Sequence, residues 1–169
     1  CGSSYMPVEK MKEFHRWLPD TKFQVIYGMT ETSSPALIFP GDSSVSEYAG
    51  AAGWPVPGIQ FKFLDDKGKE LGPGQVGEVW VRGSMVLEQY YKMETGLITS
   101  DHWLNTGDMG YYNEKYYVYI VDRKKDMINR GGEKIWCTDI EDEIQRIPGV
   151  KEVAVAGIPD AIYGEVAAA

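Results

Sequence analysis

Residues 27–31, Tyr-Gly-Met-Thr-Glu, combine residue types suited to binding a nucleotide and its metal ion. A strand is predicted just before them, and a glycine at a strand end, here Gly28, lets the backbone turn sharply or approach a ligand closely. The Tyr27 ring offers a flat surface to a planar base, while the Thr30 hydroxyl and the Glu31 carboxylate offer oxygen atoms to phosphate or Mg²⁺. From these residues alone, a strand-terminating turn with a buried tyrosine and a solvated glutamate fits better.

Two later segments carry groups that can bind ribose or phosphate oxygens. Residues 103–108 end in Thr-Gly-Asp, and the carboxylate of Asp108 can accept two hydrogen bonds from a ribose diol. An Asx turn before a strand explains the same tripeptide. Residues 122–126 read Asp-Arg-Lys-Lys-Asp, and the Arg123 guanidinium can bind such oxygens in a fixed fork geometry. A polar hairpin edge is the alternative, and it is the commoner explanation of a charge run.

A fourth segment, residues 129–135, contains the paired glycines Gly131 and Gly132. They permit either a tight turn or the close approach of a narrow ligand, and taken singly they favour a hairpin turn. The segment is not a P-loop, because the G-x-x-x-x-G-K spacing is absent.

The apolar pattern predicts a β-rich chain that positions these segments. Residues 7–18 show helical spacing, and residues 28–58 are rich in Gly, Ser, Pro and Ala and are predicted to be mainly loop. Strands are predicted at residues 22–26, 60–64, 76–82, 116–121 and 151–158.

A second helix is predicted near Thr138, which forms a T-x-x-E capping box with Glu141. Three isoleucines at helical spacing are predicted to share its buried face, namely Ile140, Ile144 and Ile147.

The composition argues against several function classes. Asp plus Glu outnumber Lys plus Arg by 25 to 17, for a formal net charge of −8, so nonspecific binding to nucleic acid or to an anionic membrane is not expected. No apolar run approaches the roughly 20 residues of a transmembrane helix, and no signal-peptide pattern occurs. The two cysteines, Cys1 and Cys137, cannot form a disulfide framework, so a cytoplasmic location is expected. The sequence does not indicate the oligomeric state.

Six stretches occur in an order that resembles the acyl-adenylate-forming (AMP-binding) superfamily. They are YGMTET at 27–32, GWPVPG at 53–58, GQVGEVWVRG at 74–83, WLNTGD at 103–108, DRKKDMINRGGEKI at 122–135 and DIEDEI at 139–144. This superfamily includes acyl-CoA synthetases, beetle luciferases and the adenylation domains of nonribosomal peptide synthetases. The chain looks most similar to fatty acyl-CoA synthetases.

The resemblance implies roles for the residues that surround the nucleotide. Tyr27 would stack on adenine, with Gly28 beside it as a further cofactor-binding residue. Thr30 would contact the α-phosphate, and Glu31 would hold Mg²⁺. Asp108 would bind both ribose hydroxyls.

The same resemblance implies roles for the later segments. Arg123 would also reach the ribose, and Lys125 would be the hinge about which a small C-terminal domain rotates. Gly132 would line the narrow tunnel for the pantetheine arm of CoA. Lys134 matches a position that is often basic and can meet a CoA or nucleotide phosphate.

The implied fold is α+β and divided between domains. Residues 1–28 would end the α/β subdomain of a large domain, 29–121 would form its small β-barrel, and 122–169 would begin the C-terminal lid, with the hinge at 122–126. The superfamily's phosphate loop and its catalytic lysine match no stretch of these 169 residues. The chain is therefore expected to be an internal fragment that does not adenylate acids alone.

The implied activity is that of an ATP-dependent acyl-CoA synthetase, whose partners are a carboxylic acid, expected to be a fatty acid, ATP with Mg²⁺, and CoA. An alternative within the superfamily is a nonribosomal peptide synthetase adenylation domain, which passes its acyl group to a carrier protein. A different alternative is a noncatalytic β-rich binding module.

Overall fold

The computed structural model describes residues 1–2, 5–33, 35–92 and 95–169, which fall into two compact units. The first unit is Cys1–Thr106 with Gly110–Ile120, and the second is Gly107–Met109 with Val121–Ala169. The assignment of domains to residues 1–28, 29–121 and 122–169 stays a prediction.

The described residues form two α-helices and eleven β-strands. The helices are α1 (Val8–Trp17) and α2 (Cys137–Gln145). The strands are β1 (Ile26–Tyr27), β2 (Leu37–Ile38), β3 (Trp54–Pro55), β4 (Ile59–Leu64), β5 (Gly77–Gly83), β6 (Leu104–Tyr112), β7 (Val118–Arg123), β8 (Ile128–Arg130), β9 (Glu133–Ile135), β10 (Ala156–Asp160) and β11 (Gly164–Ala168). In the described part of the chain, neither helix has the length and apolar character needed to cross a membrane.

The strands form three antiparallel sheets, which confirms the β-rich α+β class. Their orders are β1-β2-β3, β4-β5-β6-β7 and β10-β11-β8-β9. Within the described residues these sheets do not form a closed barrel, and the assignment of a small β-barrel subdomain to 29–121 stays a prediction. Strands β1, β2 and β3 have only 2 residues each.

Strand β5 shows why apolar alternation is a reliable signal. Val79 and Val81 are fully buried, while the intervening Trp80 is only half-buried, as the sequence predicts. In the antiparallel register Val79 lies opposite Phe63 of β4, and both belong to a core cluster that includes Leu37. Through these residues the core cluster joins β2, β4 and β5.

The first half of strand β6 was not predicted, because its inward positions carry polar residues, and a strand was expected only around Tyr111 and Tyr112. Leu104, Thr106 and Asp108 alternate along it and are all buried, at 0%, 6% and 6% exposed. The Thr106 hydroxyl donates to the Val79 carbonyl oxygen at 2.8 Å, which satisfies one buried polar group. The Asx turn considered for this stretch is therefore wrong.

Two other predicted strands differ from the structure. Only Ile26 of the predicted strand 22–26 lies in a ladder, because the Phe23 backbone bonds instead to Asp42 and Ser43. The predicted strand 151–158 begins five residues later, in β10.

Helix α2 begins at Cys137, so Thr138 lies inside its first turn and the predicted capping box is wrong. The Glu141 carboxylate instead accepts a hydrogen bond from the Val155 amide at 2.8 Å. Ile140 and Ile144 pack against a buried cluster, as predicted. Ile147 does not, because it lies beyond the helix end and is 55% exposed. The cluster consists of Ile128, Cys137 and Val155.

Gly53, in the stretch GWPVPG, lies where two backbone segments approach each other closely. Its φ is 116°, and a Cβ there would lie 2.2 Å from the carbonyl carbon and oxygen of Ile38. Only glycine fits, because any side chain would clash with backbone atoms that cannot rotate away.

Replacing Gly53 by alanine is expected to lower the free energy of unfolding by about 3 kcal/mol, since overpacking and left-handed strain each cost ~1–2 kcal/mol or more. Gly41→Ala is the matched control, because Gly41 has a φ of 89° but no atom lies within 4 Å of the place that its Cβ would take. It should lose only about 1 kcal/mol. Denaturant unfolding of the two variants measures both values, and equal losses would contradict the steric explanation.

Candidate functional site

The loop after β1 is a compact turn held by Thr32. A 3₁₀ turn covers Thr30–Thr32, and Ser33 closes it in the left-handed region with a φ of 57°. The fully buried Thr32 hydroxyl donates to the Met29 carbonyl oxygen at 2.9 Å and accepts from the Met29 amide at 3.1 Å. Thr32, to which sequence reasoning gave no role, therefore fixes the backbone that presents Thr30 to solvent.

Glu31 lies in that turn and is held at both ends. Its Oε1 accepts a hydrogen bond from the Tyr90 hydroxyl at 2.6 Å, and its carbonyl oxygen accepts one from the Leu87 amide at 2.7 Å. The expectation of a solvated glutamate is thus wrong, because this side chain is half-buried. The hydrogen bond to Glu31, followed by burial, raises the pKa of Tyr90 to about 12, so its phenol remains a donor at neutral pH.

A cleft of about 570 Å³ opens beside this turn. It is lined by Gly2, Ile26, Gly28, Met29, Thr30, Ser33 and Pro35. Two predicted site residues, Gly28 and Thr30, thus share one cavity. Tyr27 is half-buried and packs against core residues such as Leu37, and its stacking on adenine stays a prediction.

Asp108 and Arg123 meet within the second unit. Arg123 Nε lies 3.2 Å from Asp108 Oδ1, and the Asp108 side chain is 8% exposed whereas that of Arg123 is 58% exposed. A carboxylate buried to this degree needs a charged partner or several hydrogen bonds. The sequence predicted that both residues bind one ribose, and the structure places them in direct contact.

The predicted hinge begins with a carboxylate that binds the N-terminus of α2. Asp122 Oδ2 accepts hydrogen bonds from the amides of Cys137 at 2.9 Å and Thr138 at 3.4 Å. The Thr138 hydroxyl donates to the Val121 carbonyl oxygen at 2.8 Å. Negative charge at a helix N-terminus is favourable, so Asp122 does the capping that was assigned to Thr138.

The other end of the hinge is also attached to α2. The Cys137 thiol lies 3.0 Å from the Asp126 carbonyl oxygen, and burial raises the pKa of this thiol, which keeps it protonated as a donor. Exposed Lys125 lies between these attachments, in a 3₁₀ turn at Lys124–Asp126. Its role as a pivot stays a prediction.

Gly131 and Gly132 form the turn of the β8–β9 hairpin. Their φ values of 62° and 98° suit a two-residue turn with positive φ at both positions. The Asn129 side chain accepts a hydrogen bond from the Gly132 amide at 3.0 Å, and Lys134 lies opposite Asn129. The structure thus shows the hairpin turn. Contact of exposed Gly132 and Lys134 with CoA stays a prediction.

The first unit therefore contains Tyr27, Gly28, Thr30 and Glu31, and the second contains Asp108, Arg123, Lys125, Gly132 and Lys134. Among the described residues no cluster of three or more His, Cys, Asp or Glu side chains suits a metal ion. Mg²⁺ does not need one, because proteins commonly bind it through one or two carboxylates together with substrate phosphates and water. The single fixed carboxylate of Glu31 fits that chemistry.

Residues 1–91 match the sequence profile of the AMP-binding enzyme family. The chain is 40% identical over 150 residues to a fatty acid–[acyl-carrier-protein] ligase of Streptomyces coeruleorubidus, covering 86% of this chain and 29% of that protein. It is 38% identical over 164 residues to a long-chain-fatty-acid–CoA ligase of Escherichia coli O157:H7, covering 95% of this chain and 29% of that one.

Solved structures give the same result. The o-succinylbenzoate CoA synthetase of Bacillus subtilis, in complex with its acyl-adenylate intermediate, matches with a TM-score of 0.88 at 30% identity, over 98% of this chain and 34% of that one. The same synthetase has been solved in complex with ATP and magnesium ion. The chain thus spans about 29% of the length of the first curated relatives that it matches.

Asp122→Ala is expected to lower the free energy of unfolding by about 1–2 kcal/mol, because the first amides of α2 lose their acceptor. Hydrogen exchange should accelerate at the amides of Cys137 and Thr138. Glu143→Ala is the control, since its carboxylate is 70% exposed and pairs with Arg146 at the surface. It should change stability by less than about 0.5 kcal/mol. Unchanged exchange in the Asp122 variant would show that its carboxylate does not cap the helix.

Proposed function

Because this chain belongs to the AMP-binding enzyme family, we propose that it is part of a longer ATP-dependent ligase that activates a carboxylic acid as acyl-AMP and transfers it to a thiol. The observation that carries the proposal is the pairing of buried Asp108 with Arg123, which fixes a carboxylate suited to a ribose diol. The two relatives above are ligases that act on fatty acids, and a fatty acid is the substrate proposed here.

In this proposal each residue has the role that its family motif implies. Asp108 accepts hydrogen bonds from the ribose hydroxyls, and Arg123 donates to ribose oxygens while holding that carboxylate. Tyr27 stacks on adenine, with Gly28 beside it. Thr30 donates to the α-phosphate, which its exposed place beside the cleft supports.

Glu31 holds Mg²⁺, which when bound neutralises phosphate charge. The support for this role is the fixed orientation of the Glu31 carboxylate and the complex of the B. subtilis synthetase with ATP and magnesium. The chain's own contribution would be to bind phosphate through Thr30 and to hold the Glu31 carboxylate in one orientation, where it could bind the metal ion.

The proposed reaction has two steps. A carboxylate oxygen of the acid attacks the α-phosphorus of ATP, the bond to the β-phosphate bridge oxygen breaks, and pyrophosphate leaves. The thiol sulfur then attacks the acyl carbonyl carbon, its proton departs, and AMP leaves with the oxygen of the acyl–phosphate bond. Rotation about Lys125 would let one nucleotide site serve both steps, with Gly132 and Lys134 near the CoA arm.

CoA is the proposed thiol, and an acyl carrier protein is the second candidate, which the S. coeruleorubidus ligase favours. A nonribosomal peptide synthetase adenylation domain would also use a carrier. The proposed location is the cytoplasm, since Cys1 and Cys137 are free thiols, as expected in a reducing compartment.

The test is acid-dependent exchange of pyrophosphate into ATP by the full-length protein, followed by thioester formation over a panel of fatty, aromatic and amino acids. CoA and a carrier protein are supplied in parallel. We expect exchange with fatty acids and a CoA thioester. Exchange with amino acids would favour the peptide synthetase, and no exchange with any acid would favour the noncatalytic module.

The 169-residue chain alone is expected to give no such exchange. Its sequence matches neither the family's phosphate loop nor its catalytic lysine, and it covers under a third of the first curated relatives that it matches. The same assay on the purified chain measures this, with the full-length protein as positive control. Robust exchange by the chain alone would refute the division of the site.

A further inference from the structure

Tyr90 contacts the proposed magnesium ligand although 59 positions separate it from Glu31. We propose that Tyr90 is a positioning residue, whose hydroxyl occupies one oxygen of the Glu31 carboxylate and thereby directs the other toward the metal ion. The inference rests on the proposed role of Glu31.

The segment that carries Tyr90 is anchored in the core of the first unit. It follows β5, and its Met85 and Val86 pack against the buried Val81 and Ile59. The Val86 amide donates to the Gly83 carbonyl oxygen at 3.0 Å, which turns the chain directly after the strand. Tyr90 is therefore held by a packed segment.

The same segment binds the Glu31 turn at a second point. The Leu87 amide donates to the Glu31 carbonyl oxygen at 2.7 Å, while the Tyr90 hydroxyl donates to the carboxylate at 2.6 Å. One segment, residues 87–90, thus holds both the backbone and the side chain of Glu31. A surface contact formed by chance would not be expected to engage both ends of the residue.

Fixing the carboxylate matters because Mg²⁺ demands near-ideal octahedral geometry. A glutamate free to rotate loses side-chain entropy when it binds a metal ion, and one held beforehand loses less. Outer partners of metal ligands typically change metal affinity by about 10-fold to 100-fold when they are removed. A neutral phenol suits this position, since it donates one hydrogen bond without competing with the cation for charge.

The experiment compares ATP binding to the full-length protein by calorimetry, with excess Mg²⁺ and with EDTA. Tyr90→Phe should reduce the gain in ATP affinity that Mg²⁺ provides by about 10-fold, and should leave ATP affinity in EDTA unchanged. Tyr91→Phe is the matched control, because Tyr91 is the next residue along the chain and is 84% exposed. It should behave as wild type in both conditions.

Glu31→Gln separates failure of this inference from failure of the proposed function. If Glu31→Gln removes the Mg²⁺ effect and Tyr90→Phe equals Tyr91→Phe, the positioning role is wrong and the metal ligand stands. If Glu31→Gln leaves the Mg²⁺ effect intact, the proposed ligand is wrong and the inference falls with it. Equal weakening by Tyr90→Phe with and without Mg²⁺ would show a merely structural role. The double variant should lose no more than Glu31→Gln alone.

Discussion

A carboxylate removed from water stays charged only if charged or hydrogen-bonding partners replace the water, and Asp108 is under that constraint. Its side chain is 8% exposed, and Arg123 lies 3.2 Å away with most of its own surface in solvent. The pair therefore joins a buried strand position to an exposed charge. Bound ribose hydroxyls would donate further hydrogen bonds to the same carboxylate. The Asp108 carboxylate would then serve both in the folded structure and in binding the proposed ligand.

Polar side chains are also held by hydrogen bonds in the turn after β1 and at the start of the predicted hinge. Thr32 bonds to Met29 within its own turn, Asp122 accepts amides of α2, and Glu31 accepts the Tyr90 phenol. In each case a polar side chain near a predicted site residue is fixed before any ligand binds. Preorganisation of this kind lowers the cost of binding, because less freedom remains to be lost.

The sequence predicted the parts of the fold in which the buried positions carry apolar residues and the exposed positions carry polar ones. Strand β5 alternates Val79 and Val81 with Glu78, Trp80 and Arg82, and its limits were predicted to within a residue. The first half of strand β6 was missed because Thr106 and Asp108 occupy buried positions where apolar residues are usual. In the candidate site, the polar motifs could be recognised from the sequence. The hydrogen bond from Tyr90 to Glu31 could not, because 59 positions separate the two residues and only the folded chain brings them together.

Asp108 is proposed to bind the ribose of a nucleotide, and the most direct test is to measure the affinity of the full-length protein for ATP and for 2′-deoxyATP. The wild type should prefer ATP by roughly 10-fold or more, as hydrogen bonds to a charged group contribute about 1.5–3 kcal/mol. Asp108→Ala, which removes the acceptor, should bind both nucleotides with nearly equal, weakened affinity, whereas Asp20→Ala, which removes an exposed carboxylate, should match the wild type. Full preference for ATP in the Asp108 variant, or none in the wild type, would contradict the account.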